Sequence, residues 1–361
     1  MDGTGPARVI RQDVDAESHA GDAGPVQNLC LPPPDRAMLA RARQKLEVEL
    51  RQRFGENGPT AEDWGVLSSG RLSRLEQYAI IDRRIDETAA SLGRDSAEVR
   101  AQMRRELKAA VDGKPIAIRV REDKLVAILE EGRIRGLRNP DGDRAHAEAE
   151  WFGPRVHEDP PVYGYVAVDG VRPSQPSIID ALSELDYGDH QIYLKPEEVR
   201  SRTTITVGDS MVERESSIPS PLDNPSEYSY GAGMHGIAPI GRDYLGADFR
   251  SNGFIEAQIS SVTTADIDFI GLHQPPGAVL RQALDQSGIE WRILDNRTIA
   301  AEGSAAERAS AIERTNQDLE QVRSAWPAVR QHFPSLEAQL SSDLHALRDS
   351  TAGGGPGAVS G

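Results

Sequence analysis

Phe254-Ile-Glu-Ala-Gln-Ile259 is the stretch that decides the fold class, because polar residues stand at alternate positions between apolar ones. A period of two is typical of a β-strand, in which alternate residues share a face. Glu256 and Gln258 therefore share one face of the predicted strand. A carboxylate between apolar neighbours is costly to bury unless it has a partner or faces a cleft. Glu256 is thus expected either in a polar cleft or on the solvent face of a half-exposed sheet.

Further strands are predicted on both sides of this one, and short helices separate them. The predicted strands are Ile116–Val120, Val162–Val168, Gln191–Leu194, Thr203–Val207, Ile267–Leu272 and Ile289–Leu294. Strands that outnumber and interleave with short helices are typical of an α+β fold with a mixed sheet. This α/β domain is expected to span residues 112–300.

Helical segments flank the domain. Over residues 35–111, apolar positions recur at helical spacing, and Asp35 and Asp95 stand where N-caps are expected. Residues 303–348 form a second helical segment, whose leucine stripe comprises Leu336, Leu340, Leu344 and Leu347. A small helical bundle is therefore expected to precede the mixed-sheet domain, and a helical hairpin to follow it. Residues 1–34 and 351–361 are predicted to be a disordered leader and a disordered tail.

The net charge of −16 argues against nucleic acid as a partner, because an acidic chain repels phosphate backbones. Cys30 is the only cysteine, so neither an internal disulfide nor a Cys-rich zinc site can form. Its position before three prolines is a poor setting for a nucleophile. No stretch approaches the ~20 apolar residues of a membrane span. Residues 1–27 lack a Sec-type hydrophobic segment, so we expect the cytoplasm, or secretion by a route without a Sec-type signal.

Two motifs each have a purely structural interpretation beside a functional one. Gly231-Ala-Gly-Met-His-Gly236 matches the dinucleotide-binding pattern, but no strand precedes it and no helix follows, so a flexible loop is expected. His146, Glu148 and Glu150 lie close together on a predicted helix. They would either serve a metal-dependent hydrolase or form a surface helix with an i,i+4 pair.

The strand residues, taken together, resemble the ADP-ribosyltransferase fold. That family carries an arginine on its first strand, a Ser/Thr-rich strand, and a Glu/Gln-x-Glu motif on a later one. The residues that match are Arg119, then Thr203, Thr204 and Thr206, then Glu256 and Gln258. The stretches Tyr187–Ser210 and Phe254–Ile259 also resemble an uncharacterised bacterial domain family of toxin- and effector-like proteins.

The resemblance implies an effector or toxin that uses NAD as a substrate and acts on a protein target. Glu256 and Gln258 would be catalytic, because a carboxylate stabilises the positively charged ribose left when nicotinamide departs. Arg119 would bind the diphosphate through its fork of donors. Threonine hydroxyls at Thr203, Thr204 and Thr206 would orient the carboxylate or the ribose.

One position departs from the family pattern, since Gln258 stands where the family has its catalytic glutamate. Glu256 could take that role, the site could bind a nucleotide without cleaving it, or the likeness could be one of fold alone. The catalytic interpretation predicts that Arg119, Thr204 and Glu256 converge in one cleft, with the loop 211–249 over it. The alternative is a non-catalytic interaction protein with a degenerate nucleotide-binding fold, no such cleft, and an exposed apolar stripe on residues 336–347.

Overall fold

The computed structural model describes residues 30–60, 63, 72–137, 142–167, 188, 190–208, 210, 217–230, 255–272, 275–324 and 334–352. The expectations for residues 1–29, the glycine motif 231–236 and the tail from residue 353 lie outside these ranges. Most of the loop 211–249 does so as well, so its position over a cleft stays a prediction. Among the described residues, no helix is long and apolar enough to cross a membrane.

The predicted helical bundle is confirmed before the sheet, with helices α1 (Arg36–Phe54), α2 (Arg74–Ser91) and α3 (Ser96–Val111). Asp35 caps α1, and Ser73 opens α2 by exchanging hydrogen bonds with Glu76. One face of α3 has no exposed surface and consists of Val99, Met103, Leu107 and Val111. Burial of each such side chain stabilises the fold by ~1.5–3 kcal/mol, so this face fixes α3 against the sheet.

The central element is an eight-stranded sheet in the order β10-β9-β4-β1-β3-β7-β5-β6. Its strands are β1 (Ile116–Val120), β3 (Val162–Val166), β4 (His190–Leu194), β5 (Thr203–Val207), β6 (Ser220–Pro221), β7 (Ile255–Ile259), β9 (Ile267–Leu272) and β10 (Trp291–Ile293). A separate pair joins β2 (Arg133–Ile134) to β8 (Val262–Thr263). Neighbours in the large sheet are antiparallel except β9 and β10, which are parallel. The predicted α+β fold with a mixed sheet is therefore confirmed.

Short helices connect the strands, as the sequence predicts. They are α4 (Glu122–Glu131), α5 (Gly142–Phe152), α6 (Pro196–Val199) and α7 (Ala278–Ser287). The apolar face of the sheet, which includes Ile118, Ile205 and Ala257, joins α3, α4 and α7 in one hydrophobic core. Polar residues such as Thr204, Glu256 and Gln258 alternate with these and lie on the opposite face.

The predicted helical hairpin is present after the sheet and consists of α9 (Ala305–Ser324) and α10 (Pro334–Ala352), with the short α8 (Asn296–Glu302) packed against both. Leu340 and Leu344 are buried with Leu319 of α9, and Leu347 is buried with Ala311. The expectation of an exposed stripe is therefore wrong for Leu340, Leu344 and Leu347, because α9 packs against them.

Candidate functional site

The register of the strands places the predicted site residues on one face of the sheet. Thr206 pairs with Glu256, which pairs with Tyr165, which pairs with Ala117 on β1. Residues paired directly across a sheet share a face, and so do residues two apart on a strand. Arg119 therefore lies on the same face as Glu256, as the convergence hypothesis requires. We call this surface the polar face; it comprises Arg119, Tyr163, Tyr165, Thr204, Thr206, Glu256 and Gln258.

Glu256 is the centre of a buried hydrogen-bond network on this face. Its side chain is 6% exposed, and its Oε1 accepts hydrogen bonds from Ser210 and from Gln258, whose Nε2 lies at 2.7 Å. The neighbouring strand supplies hydroxyls to the same amide. Thr204 donates to Gln258 Oε1 at 2.9 Å, and Gln258 Nε2 donates to Thr206 at 3.1 Å. Glu256 is therefore a partnered, buried carboxylate rather than one on a solvent face.

Thr203 does not join this network. It pairs with Ile259, which puts it on the apolar face, and its hydroxyl donates to the carbonyl of Val199 at 2.8 Å. Its predicted role in binding a cofactor is therefore not supported by its position. Alternation assigns only every second threonine of β5 to the polar face, whereas the resemblance that suggested Thr203 matched the whole strand.

Arg119 is half-buried and tied to the chain segment before β4. Its Nε and Nη2 donate to the carbonyl of Gly188 at 3.1 and 2.9 Å. Beside it, Gln191 accepts hydrogen bonds from the hydroxyls of Tyr165 and Tyr193, each at 2.5 Å. This part of the face is therefore built from an arginine, an amide and two phenols.

The sequence analysis missed a third group of residues on the polar face. Arg144 of α5 lies over the Tyr163 ring, 4.2 Å from its centre, and donates to Glu148 at 2.9 Å. Tyr163 donates to the same carboxylate oxygen at 2.8 Å. The i,i+4 spacing of Arg144 and Glu148 was the available signal, but it does not reveal that Glu148 is only 1% exposed.

The charges of this group act on one another. Burial, followed by the carboxylates of Glu256 and Glu148, raises the pKa of Tyr163 well above its ordinary value, so its hydroxyl remains a donor. Burial alone would lower the pKa of Arg144, but Tyr163, Glu148 and Glu256 outweigh it and raise that pKa. The guanidinium is therefore kept charged beside Glu256.

The residues of the metal hypothesis are engaged elsewhere. His146 Nε2 lies 3.2 Å from the carbonyl of Leu72, and Glu150 accepts from the backbone of Arg74 at 2.6 Å. These contacts attach α5 to the start of α2. In the described part of the chain, no group of three or more His, Cys, Asp or Glu side chains could hold a metal ion.

Cys30 lies at the edge of the polar face, near Thr204, and donates to the carbonyl of Pro219 at 3.0 Å. The next residue, Leu31, donates its backbone N–H to Trp151 at 3.1 Å. Burial raises the pKa of the thiol to about 12, and the nearby Arg74 only partly offsets this. The protonated form of the thiol is therefore favoured at neutral pH. The sequence analysis had assigned Cys30 to a disordered leader.

No family model matches the chain. The chain is 33% identical to the Gene 2 protein of Mycobacterium phage D29 in an alignment of 192 positions that covers 48% of this chain and 70% of its relative. It is 28% identical to the Gene 2 protein of Mycobacterium phage L5 in an alignment of 182 positions. That alignment covers 47% of this chain and 66% of the L5 protein. Neither name states an activity. The similarity to the D29 protein, at that identity and over that share of its length, shows that the chain belongs to the family of mycobacteriophage Gene 2 proteins.

Proposed function

We propose that this protein is an ADP-ribosyltransferase-like effector or toxin that uses NAD as a substrate and acts on a protein target. The observation that carries the proposal is the position of Glu256. It is a buried carboxylate fixed by Ser210 and Gln258, on the same sheet face as Arg119, Thr204 and Thr206. A carboxylate at 6% exposure is costly unless it serves a partner or a ligand.

The residue types suit this reaction. In it, the bond between nicotinamide and ribose breaks, nicotinamide leaves with the bonding electrons, and a nucleophile of the target bonds to the ribose and loses its proton. Glu256 would stabilise the positive charge that develops on the ribose, as a carboxylate does in glycoside hydrolysis. Gln258 and Ser210 hold that carboxylate in one orientation, and the guanidinium groups of Arg119 and Arg144 suit the negatively charged part of the substrate.

The degenerate-site alternative has a specific observation in its favour. Gln258 stands where the resemblance to ADP-ribosyltransferases would put the catalytic glutamate, is fully buried, and uses both ends of its amide within the network. An amide cannot supply negative charge, so a site that binds a nucleotide without cleaving it is the second candidate function.

Nicotinamide release from NAD by the full chain separates the two. We expect release by the wild type and its loss in Glu256→Gln, which retains an oxygen to accept both hydrogen bonds. Glu290→Gln, at an exposed position beside β10, is the matched control and should release nicotinamide at the wild-type rate. Binding of NAD without release would favour the degenerate site. A protein that does not bind NAD and does not release nicotinamide would contradict the proposal. Transfer of labelled ADP-ribose to host-cell proteins then tests for a protein target.

A further inference from the structure

Arg144 presents two donor groups, Nη1 and Nη2, for which the described part of the chain supplies no acceptor. Its Nε is bound to Glu148, while Nη1 and Nη2 donate to no residue that the structure describes. The side chain nevertheless is only 23% exposed. A guanidinium fixed through Nε points its two Nη groups in set directions, so it forms a preorganised fork for a pair of oxygens.

Glu148 and Tyr163 hold this fork in place. Glu148 is 1% exposed, and its Oε1 accepts from both Arg144 and Tyr163. The Tyr163 ring supports the guanidinium from below through a cation–π contact. An arginine loses side-chain entropy when it is immobilised, and here the fold has already restricted it. A ligand that met the fork would therefore bind without ordering it.

The position of the fork selects the ligand. Tyr163 pairs with Gln258 and thus stands in the row next to Glu256 on the polar face. The other arginine of this face, Arg119, already directs its Nε and Nη2 to the Gly188 carbonyl. Two carboxylates flank Arg144, so they would repel a highly charged anion. A diphosphate that bridges two esters carries fewer charges than free pyrophosphate and still offers paired oxygens.

We propose that Arg144 binds the diphosphate of a dinucleotide at the polar face, a role that the family resemblance gave to Arg119. The choice of a dinucleotide rests on the proposed function; the fork itself does not. Arg144 is thus a binding residue, and Glu148 and Tyr163 position it.

Calorimetric titration of the full chain with ADP-ribose tests this inference, because ADP-ribose has the diphosphate but no nicotinamide to release. We expect the wild type to bind and Arg144→Gln to bind roughly 10- to 100-fold more weakly, since hydrogen bonds to charged groups are lost. Arg281→Gln is the matched control, because Arg281 lies over the Trp291 ring at 4.9 Å on an exposed helix position. It should bind like the wild type.

Arg144→Lys is a second variant, included in case Arg144→Gln does not fold. Thermal unfolding of each variant shows whether it is folded. Lysine keeps the charge but not the fork, so weakened binding by a folded Arg144→Lys supports the inference. Wild-type affinity in a folded Arg144→Gln or Arg144→Lys, an equal loss in Arg281→Gln, or no binding of ADP-ribose by the wild type would overturn it. ADP-ribose binding that depends on Arg144, with no nicotinamide release from NAD, would contradict the proposed transferase and leave this inference standing.

Discussion

The amide nitrogen of Gln258 lies 2.7 Å from the carboxylate of Glu256, two residues earlier on the same strand. The uncharged amide does not neutralise the charge of Glu256, but it donates a hydrogen bond to the carboxylate and thereby fixes the orientation of that side chain. Replacing this amide by a carboxylate should therefore have measurable consequences.

Gln258→Glu should destabilise the protein in a pH-dependent way. Two carboxylates would then meet at hydrogen-bond distance, so one would keep its proton and its pKa would rise. Because the folded-state pKa is raised, the stability is present below the unfolded pKa of ~4.3 and is lost as the pH rises. We expect a penalty of roughly 3 kcal/mol at pH 8 and a smaller one at pH 4.5, measured by urea unfolding.

The double variant Glu256→Gln with Gln258→Glu is the control for this prediction. It contains a single carboxylate in the same network, so most of the pH dependence should disappear. An equal penalty for Gln258→Glu at both pH values would show that charge repulsion is not the cause.

Cys30 should make stability fall above pH 9. Burial raises the pKa of its thiol from 9.0 to about 12, so between these values the unfolded chain has lost a proton that the folded chain retains. Stability then decreases with rising pH by at most ~1.4 kcal/mol per unit. Urea unfolding between pH 8 and 10.5 should show this decrease in the wild type and a smaller one in Cys30→Ala.

The same burial predicts slow chemical modification of the thiol. Native protein at pH 8 should react with a thiol reagent far more slowly than urea-unfolded protein, because the thiolate is the reacting form. Equal rates would mean that Cys30 is accessible in the native state.

Gly188→Ala should disrupt the support of Arg119. Gly188 has φ +84°, and a Cβ there would lie 2.2 Å from the backbone nitrogen of Arg121. The chain would have to shift the carbonyl that accepts from Arg119, and we expect a loss of more than ~2 kcal/mol in the free energy of unfolding. Gly288→Ala is the matched control, because Gly288 has φ +66° with nothing within 4 Å. Its cost should be ~1 kcal/mol from backbone strain alone.

Leu344→Ala should destabilise the hairpin of α9 and α10. Leu344 is buried with Leu319 and Leu340, so truncation leaves a cavity and costs ~2–5 kcal/mol. A change below ~0.5 kcal/mol in thermal or urea unfolding would indicate a solvent-exposed leucine, as the interaction-protein hypothesis required.

The alternation of apolar and polar residues was sufficient to predict the central strands, because their apolar residues pack into the hydrophobic core on one side of the sheet. It also put Thr204 with Thr206 on one face of β5, and Glu256 with Gln258 on one face of β7. That these two pairs lie side by side depends on the pairing of β5 with β7, which alternation does not reveal. It gave no sign of β2, β6 or β8, which have two residues each and show no period.

Residues that reach the polar face from outside the sheet could not be found in this way. Arg144 and Glu148 come from a helix, and Cys30 comes from the segment before α1. Their places depend on tertiary packing, such as the bond between Leu31 and Trp151, which local pattern does not encode. The same limit explains the leucine stripe, because periodicity identifies an apolar face but not the element that covers it.

The register of β7 restricts how the chain can change in length. This strand lies between β3 and β5, and each of its residues is paired on both sides. One residue inserted inside it would turn Glu256 toward the hydrophobic core and carry Ile255 or Ala257 to the polar side. A change of length in a segment between strands leaves this register intact, whereas an insertion or deletion within β7 would remove the carboxylate and the core packing in a single step.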